Sequence, residues 1–164
     1  MGAAARGVLS AAQRRFVESR RTATLATIGP DGSPRLVPIC FALAPLTASE
    51  TVLYTPLDEK PKAVADVHEL ARVRDIARRS DVTLLFDRWE EDWSQLGWLR
   101  VRGEAELIEP EGPSVSGHAA AVASLRARYP QYVSQAIHAR PLIAVRLTSV
   151  TTWGATDEEA RRRA

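Results

Sequence analysis

Lysine is almost missing from this chain. Of 22 basic residues, 20 are arginine and two are lysine, Lys60 and Lys62, which stand two positions apart. Cysteine is rarer still. Cys40 is alone, so no intrachain disulfide can form and nothing points to an oxidising compartment. The three histidines, His68, His118 and His138, are scattered, none with a partner at metal-ligand spacing, so no metal site is expected. Glycine-rich phosphate loops, dinucleotide fingerprints and nucleophile-elbow patterns do not occur. No apolar run approaches membrane-spanning length. The first 21 residues lack the apolar core of a signal peptide, and Arg6 stands where a myristoylation signal needs Ser or Thr. These absences give the cytoplasm as the expected location and no membrane as a partner. They also leave no obvious set of acid, base, nucleophile or metal. Such a chain either takes its chemistry from a cofactor or is not an enzyme.

What is present is ordinary in bulk. The chain has 164 residues, 45% apolar and 26% charged, with a net charge of +2. That length suits one domain with a real core, here expected over residues 1–164 with the core at about 10–154 and a charged tail at 155–164. The charge is too small to imply a polyanion partner by itself. Arg72, Arg74, Arg78 and Arg79 make one basic helix, but acids lie nearby and no aromatic platform stands beside it, so nucleic acid is not an expected partner.

The stretch Thr22 to Leu43, TATLATIGPDGSPRLVPICFAL, carries the most local information. Thr22 to Ile28 mixes β-branched and small residues without charge and reads as a strand. Gly29-Pro30-Asp31-Gly32 is a turn, with proline presetting one φ and glycine supplying a positive one. Arg35 to Leu43 is a nearly unbroken apolar second arm. Pro38 cannot donate to a ladder, which demands an edge or a bulge there.

The remaining elements follow from period and punctuation. Ser10 to Arg21 reads as a helix capped by Ser10. Strands are expected at 51–55, 81–86, 97–108, 141–147 and 150–153, with the apolar run at 81–86 buried on both faces. Along 97–108, Trp98, Arg100, Arg102, Glu104 and Glu106 share one face, and Leu99, Val101, Ala105 and Leu107 the other. Helices are expected at 63–79 and 118–129, with a shorter one reaching Ala139. Five or six strands without βαβ alternation point to a small antiparallel barrel with helical insertions, in a mainly β (α+β) chain.

Two groups of residues can bind something. Thr55, Lys60 and Lys62 follow a strand end and precede a helix, a place where hydroxyl, ammonium and backbone N–H groups can meet a phosphate. Arg35 can reach the same place. The same run fits a solvated charged loop. Trp98 with Arg100 and Arg102 sets an aromatic plane beside two guanidinium groups, which fits a site, a dimer interface or a solvent face. Cys40 fits a buried, inert thiol.

The order of these pieces resembles the split β-barrel flavin-binding family related to pyridoxamine 5′-phosphate oxidase. It resembles more narrowly an actinobacterial branch of probable F420-dependent enzymes. The residues that carry the resemblance are TATLATIGPDGSPRLVPICFAL, LYTPLDEKPK, LARVRDIARRSDVTLLFD and DWSQLGWLRVRGEAELIE, over roughly 16–109. The resemblance implies a six-stranded antiparallel split β-barrel (FMN-binding split barrel), paired as a homodimer with two cofactor sites at the interface. It implies a ring against Leu36, Val37, Pro38 and Ile39, a phosphate near Thr55, Lys60 and Lys62, and a bracing or binding role for Arg74. Trp98 and Arg100 would face the interface and serve the partner's site. It implies a deazaflavin (F420) or FMN oxidoreductase acting on a small organic acceptor, with Tyr54 as a conceivable proton donor. Lys60, Lys62, Arg35, Arg72 and Arg78 suit the acidic oligoglutamyl tail of F420 better than plain FMN. A non-catalytic cofactor carrier or a haem binder of the same fold is the alternative. The C-terminal TSVTTWGATDEEARRRA lacks the substrate segment of the pyridoxamine oxidases, which argues against vitamin B6 oxidation.

Overall fold

The computed structural model describes residues 5–6, 8–44, 50–59, 65–112 and 115–156. Lys60 and Lys62 lie outside them. One antiparallel sheet holds eight strands: β1 (Ala5–Arg6), β2 (Ala23–Ile28), β3 (Pro34–Ile39), β4 (Ala42–Leu43), β5 (Val52–Pro56), β6 (Asp81–Arg88), β7 (Gly97–Ile108) and β8 (Leu142–Gly154). Six of these have five residues or more, and two are short pairs, β1 and β4. Three helices accompany them: α1 (Ala11–Glu18), α2 (Ala71–Arg78) and α3 (Val115–Arg128).

The strands run β3-β2-β6-β7-β8-β5-β4, with β1 added beside β8. The two ends of that path, β3 and β4, are separated in the chain only by Cys40 and Phe41. So short a link brings the sheet edges near each other, because consecutive Cα atoms are about 3.8 Å apart. The sheet therefore curls round a core and stays open along one seam, a split barrel. The core includes Leu25, Phe41, Leu53, Leu84, Leu99, Val101 and Val145. α3 packs on the other face of β4, β5 and β8 through Ala121, Val122, Leu125 and Tyr129.

Local chemistry explains the elements. Ser10 caps α1 with a reciprocal box: its side chain accepts from the Gln13 amide, and the Gln13 side chain accepts from the Ser10 amide. Gly32 closes the β2–β3 turn at φ 81°. β3 is the terminal strand of the path, which accommodates Pro34 and Pro38.

Four expectations need correction. The apolar run 35–43 is not one strand. The Tyr129 hydroxyl accepts from the Phe41 amide at 3.0 Å and lies 3.0 Å from its carbonyl, taking both backbone groups out of any ladder. The expected helix 63–79 is divided: a 3-10 turn at Val67–Glu69, capped by Asp66, precedes α2, and extended Leu70 drops into the core between them. Residues 63–64 of that expectation lie outside the described residues. The expected strands at 141–147 and 150–153 are one strand, β8. Its register shifts between Arg102 and Gly103 of β7, leaving Thr148 as the extra residue, and the Thr148 hydroxyl donates to the Arg102 carbonyl at 3.1 Å. Finally, β6 is buried on one face only. Val82, Leu84 and Phe86 enter the core, while Thr83 and Leu85 stay half-buried.

Candidate functional site

Asp75 is the one acidic residue of α2, and it is fully buried at 0% exposure. A buried carboxylate must be paired and hydrogen-bonded. Asp75 accepts from the Thr27 hydroxyl at 2.9 Å, from Arg35 Nη1 at 3.2 Å and from Arg78 Nη2 at 2.7 Å. Strands β2 and β3 and helix α2 are thereby fixed to one another. Gly29 belongs to the same device. A Cβ there would sit 2.9 Å from Arg35 Nε, so the missing side chain lets Arg35 lie across the turn.

Beside this cluster a cleft of about 420 Å³ opens between β3 and the start of α2. Thr27, Arg35, Leu36 and Val37 line one side, and Glu69, Leu70, Ala71, Arg72 and Arg74 line the other. The volume falls in the range of small-molecule sites, roughly 300–1,000 Å³. One wall is apolar, and the rim carries guanidinium groups. Arg74 is partly spent on Glu69, at 3.6 Å. Arg72 differs. It is half-buried and makes no hydrogen bond or ion pair among the described residues. Burial pushes its guanidinium below the ordinary arginine value, and the Asp58 carboxylate opposes that shift. A half-buried cation that makes no direct hydrogen bond or salt bridge, with Asp58 acting on it only at longer range, can still take an anion. The residues present therefore fit a planar cofactor with a phosphate: Leu36, Val37, Leu70 and Ala71 for the ring system, Arg72 and Arg74 for the charge.

The residues singled out from the sequence separate into groups. Arg35, Val37 and Arg74 line the cleft, with Arg35 also committed to Asp75. Pro38 and Ile39 continue β3 beyond it, Pro38 exposed and Ile39 buried. Thr55 lies on β5 at 2% exposure and is not among the lining residues. Trp98 and Arg100 lie on β7, with Arg100 over the Trp98 ring at 5.8 Å and Trp98 stacked on Trp153 at 6.5 Å. They lie outside this chain's own cleft.

Their rows are informative. Across the sheet, Pro38, Thr24, Leu85, Arg100 and Thr151 stand in one register row, and Leu36, Ala26, Thr83, Arg102 and Ser149 in another. This outer face starts beside the cleft and ends at Trp98 and Trp153, with no helix of the described residues over it. Leu36 is 65% exposed there and Trp153 54%.

Tyr54 lines a different groove, of about 450 Å³, with Glu50, Glu104, Glu106 and Arg146. Burial and Glu50 raise its phenol above the ordinary value. Three carboxylates make that groove hostile to a phosphate, so the cleft beside Arg72 is the better site for one although it is slightly smaller. Asp75 and Leu70 were missed from sequence. Asp75 had a signal: a lone acid among the arginines of α2, at a position whose neighbour in sequence, Ile76, is core. No group of three or more His, Cys, Asp or Glu able to hold a metal occurs among the described residues, and no described helix is long and apolar enough to cross a membrane.

Comparison with known proteins bears on the fold. The family model described as pyridoxamine 5′-phosphate oxidase matches residues 9–154. A search of curated proteins returns no match. Among solved structures, the conserved hypothetical protein Rv2991 from Mycobacterium tuberculosis is 24% identical, with 94% of this chain and 90% of that one covered and a TM-score of 0.61. The haem storage protein HutZ from Vibrio cholerae is 12% identical, with coverage of 90% and 94% and a TM-score of 0.59. A protein described as F420 reductase is 19% identical, with coverage of 85% and 94% and a TM-score of 0.53. At these identities the solved structures establish the fold alone. The family model covers most of the chain, and on that ground the chain belongs to the pyridoxamine 5′-phosphate oxidase family of split β-barrels.

Proposed function

We propose that this protein is an oxidoreductase that binds the deazaflavin F420 in the cleft between β3 and α2 and acts on a small organic acceptor. The observation that carries the reading is Arg72: a half-buried guanidinium that makes no hydrogen bond or salt bridge among the described residues, at the rim of a cleft whose other wall is apolar. Such a cofactor supplies a hydride to an electron-poor acceptor. The chain's residues then have four tasks. Leu36, Val37 and Leu70 exclude water from one face of the ring. Arg72 takes the charge of the phosphate or of the acidic tail. Arg74 extends the positive rim outward, which favours a polyanionic cofactor over plain FMN. The Asp75 cluster keeps β3 and α2 at a fixed separation, so that the acceptor is held in place.

The same reading takes the protein as a homodimer. The uncovered sheet face supplies a mixed surface for a second copy, with exposed Leu36 and Trp153 at its margins and threonines and arginines between them. Trp98 and Arg100 on that face would then close the partner's cleft.

Titration of the cofactor-free protein with F420, FMN and haem in parallel tests the assignment, with tryptophan fluorescence and visible absorbance as readouts. Preferential, saturable F420 binding is expected. Preference for FMN moves the protein to the flavin branch, a Soret band moves it to the haem carriers, and binding of none removes the enzyme reading.

A further inference from the structure

A further cavity of about 340 Å³ lies beside α3. It is lined by Pro110, His118, Ala119, Val122, Ala123, Arg126 and His138. Its polar side chains are two imidazoles and a guanidinium. No carboxylate lines it among the described residues.

The hydrogen bonds around it assign the free atoms. His118 is only 3% exposed, and its Nε2 lies 2.7 Å from the Arg140 carbonyl. A carbonyl only accepts, so Nε2 carries a proton, and in the neutral tautomer that fits this bond Nδ1 is an acceptor. No buried side-chain nitrogen or oxygen among the described residues lacks a partner. The unpaired Nδ1 is therefore an accessible atom, on a residue that lines the cavity. At His138 the logic reverses. Its Nδ1 lies 3.1 Å from Arg126 Nη2, which only donates, so Nδ1 accepts and Nε2 carries a proton free to donate. Arg126 is held by the Tyr132 and Gln135 carbonyls through Nε and Nη2, and its Nη1 makes no bond among the described residues.

The set is thus one positive donor, one neutral donor and one accessible acceptor on an otherwise buried ring, over an apolar floor. A metal ion is a poor match, because the Arg126 charge sits against one of the two imidazoles. A carboxylate satisfies the two donors and leaves His118 Nδ1 unpaired. A monoprotonated phosphate satisfies all three: its anionic oxygens accept from Arg126 and His138, and its remaining O–H donates to His118. We propose that this cavity is a binding site for a small phosphate monoester, separate from the cofactor cleft. Pro110, Ala119, Val122 and Ala123 would receive its organic part.

The test is an imidazole NMR titration of the full chain with inorganic phosphate. Saturable, concerted shifts of His118 and His138 are expected, with acetate at matched ionic strength giving much weaker ones. Removing His118 risks the fold, because it ties α3 to the Arg140 carbonyl. His138 is exposed, and His138→Ala should weaken phosphate about tenfold, the loss expected for one charge-assisted hydrogen bond, without changing the melting temperature. Arg72→Ala, in the cofactor cleft, should leave these shifts intact. The proposal is overturned by shifts that do not saturate, by equal response to acetate or chloride, or by unchanged affinity in His138→Ala. It stands or falls independently of F420 binding.

Discussion

The Thr27 hydroxyl donates to Asp75 Oδ2 at 2.9 Å, joining strand β2 to helix α2 across 48 positions of sequence. Both residues are buried. Arg35 and Arg78 complete the shell around the carboxylate. Asp75→Ala removes an acceptor on which three donors converge, and it should cost about 2–3 kcal/mol. Arg35→Ala should cost less, because Arg78 stays with the carboxylate. Urea denaturation of both variants checks the order. Equal stability of wild type and Asp75→Ala would show that the cluster does not join hairpin to helix.

Arg72→Ala separates binding from stability. A half-buried guanidinium with no hydrogen bond or salt bridge among the described residues contributes little to folding and can oppose it. The variant should keep or slightly raise the melting temperature while weakening the preferred cofactor by about tenfold to a hundredfold, as expected for a charge-assisted contact. A titration in which Arg72→Ala binds as tightly as wild type would move the phosphate elsewhere.

Much of the barrel was legible because strand signals are local. The alternation in Gly97–Ile108 gave β7 its bounds and its faces, and GPDG gave the β2–β3 turn. What misled were places where one residue answers to a distant one. Tyr129 interrupts the 35–43 run from 88 positions away, and nothing inside that run announces it. Thr148 divides the pattern of β8 because a bulge shifts the alternation by one residue, which reads in sequence as two short strands. The cleft was half legible. Arg35 was singled out for its chemistry, and Val37 and Arg74 by the family resemblance, whereas Leu70 and Asp75 depend on where α2 begins. That boundary rests on a 3-10 turn which helical periodicity does not reveal.

His68 should give the stability a mild pH dependence. Its Nδ1 lies 2.8 Å from Asp66 and its Nε2 2.8 Å from Glu109, joining the turn before α2 to the end of β7. The bond to Glu109, then that to Asp66, raises the imidazole above its ordinary value. A raised folded value stabilises fully below the unfolded value of about 6.5, and the contribution disappears as pH climbs through the folded value. All three side chains are largely solvent-exposed, so the effect is small. Melting temperatures of wild type and His68→Gln should differ most in mildly acid buffer and converge in alkaline buffer. A constant difference would show that the ion pair carries none of it.

Gly103 sits at the register shift between β7 and β8. A Cβ there would meet Val145 Cγ1 at 2.6 Å and the Arg146 carbonyl oxygen at 2.8 Å. The carbonyl is backbone and cannot rotate away. Gly103→Ala should therefore cost about 1–3 kcal/mol, the usual penalty for overpacking. Gly117→Ala is a fitting control, since nothing lies within 4 Å of a Cβ at that position. Thermal unfolding of the two variants should separate them clearly.

Leu36 and Trp153 stand at opposite margins of the uncovered sheet face. On the homodimer reading, a second copy removes both from water. Leu36→Glu places a charge in that contact, where burial without a partner is costly. On an isolated chain the same substitution is nearly neutral, because Leu36 is 65% exposed. Sedimentation analysis therefore discriminates: wild type should run as a dimer and Leu36→Glu as a monomer with intact circular dichroism. A variant that stays dimeric, or a wild type that is monomeric at every concentration, would remove this face as the contact between copies.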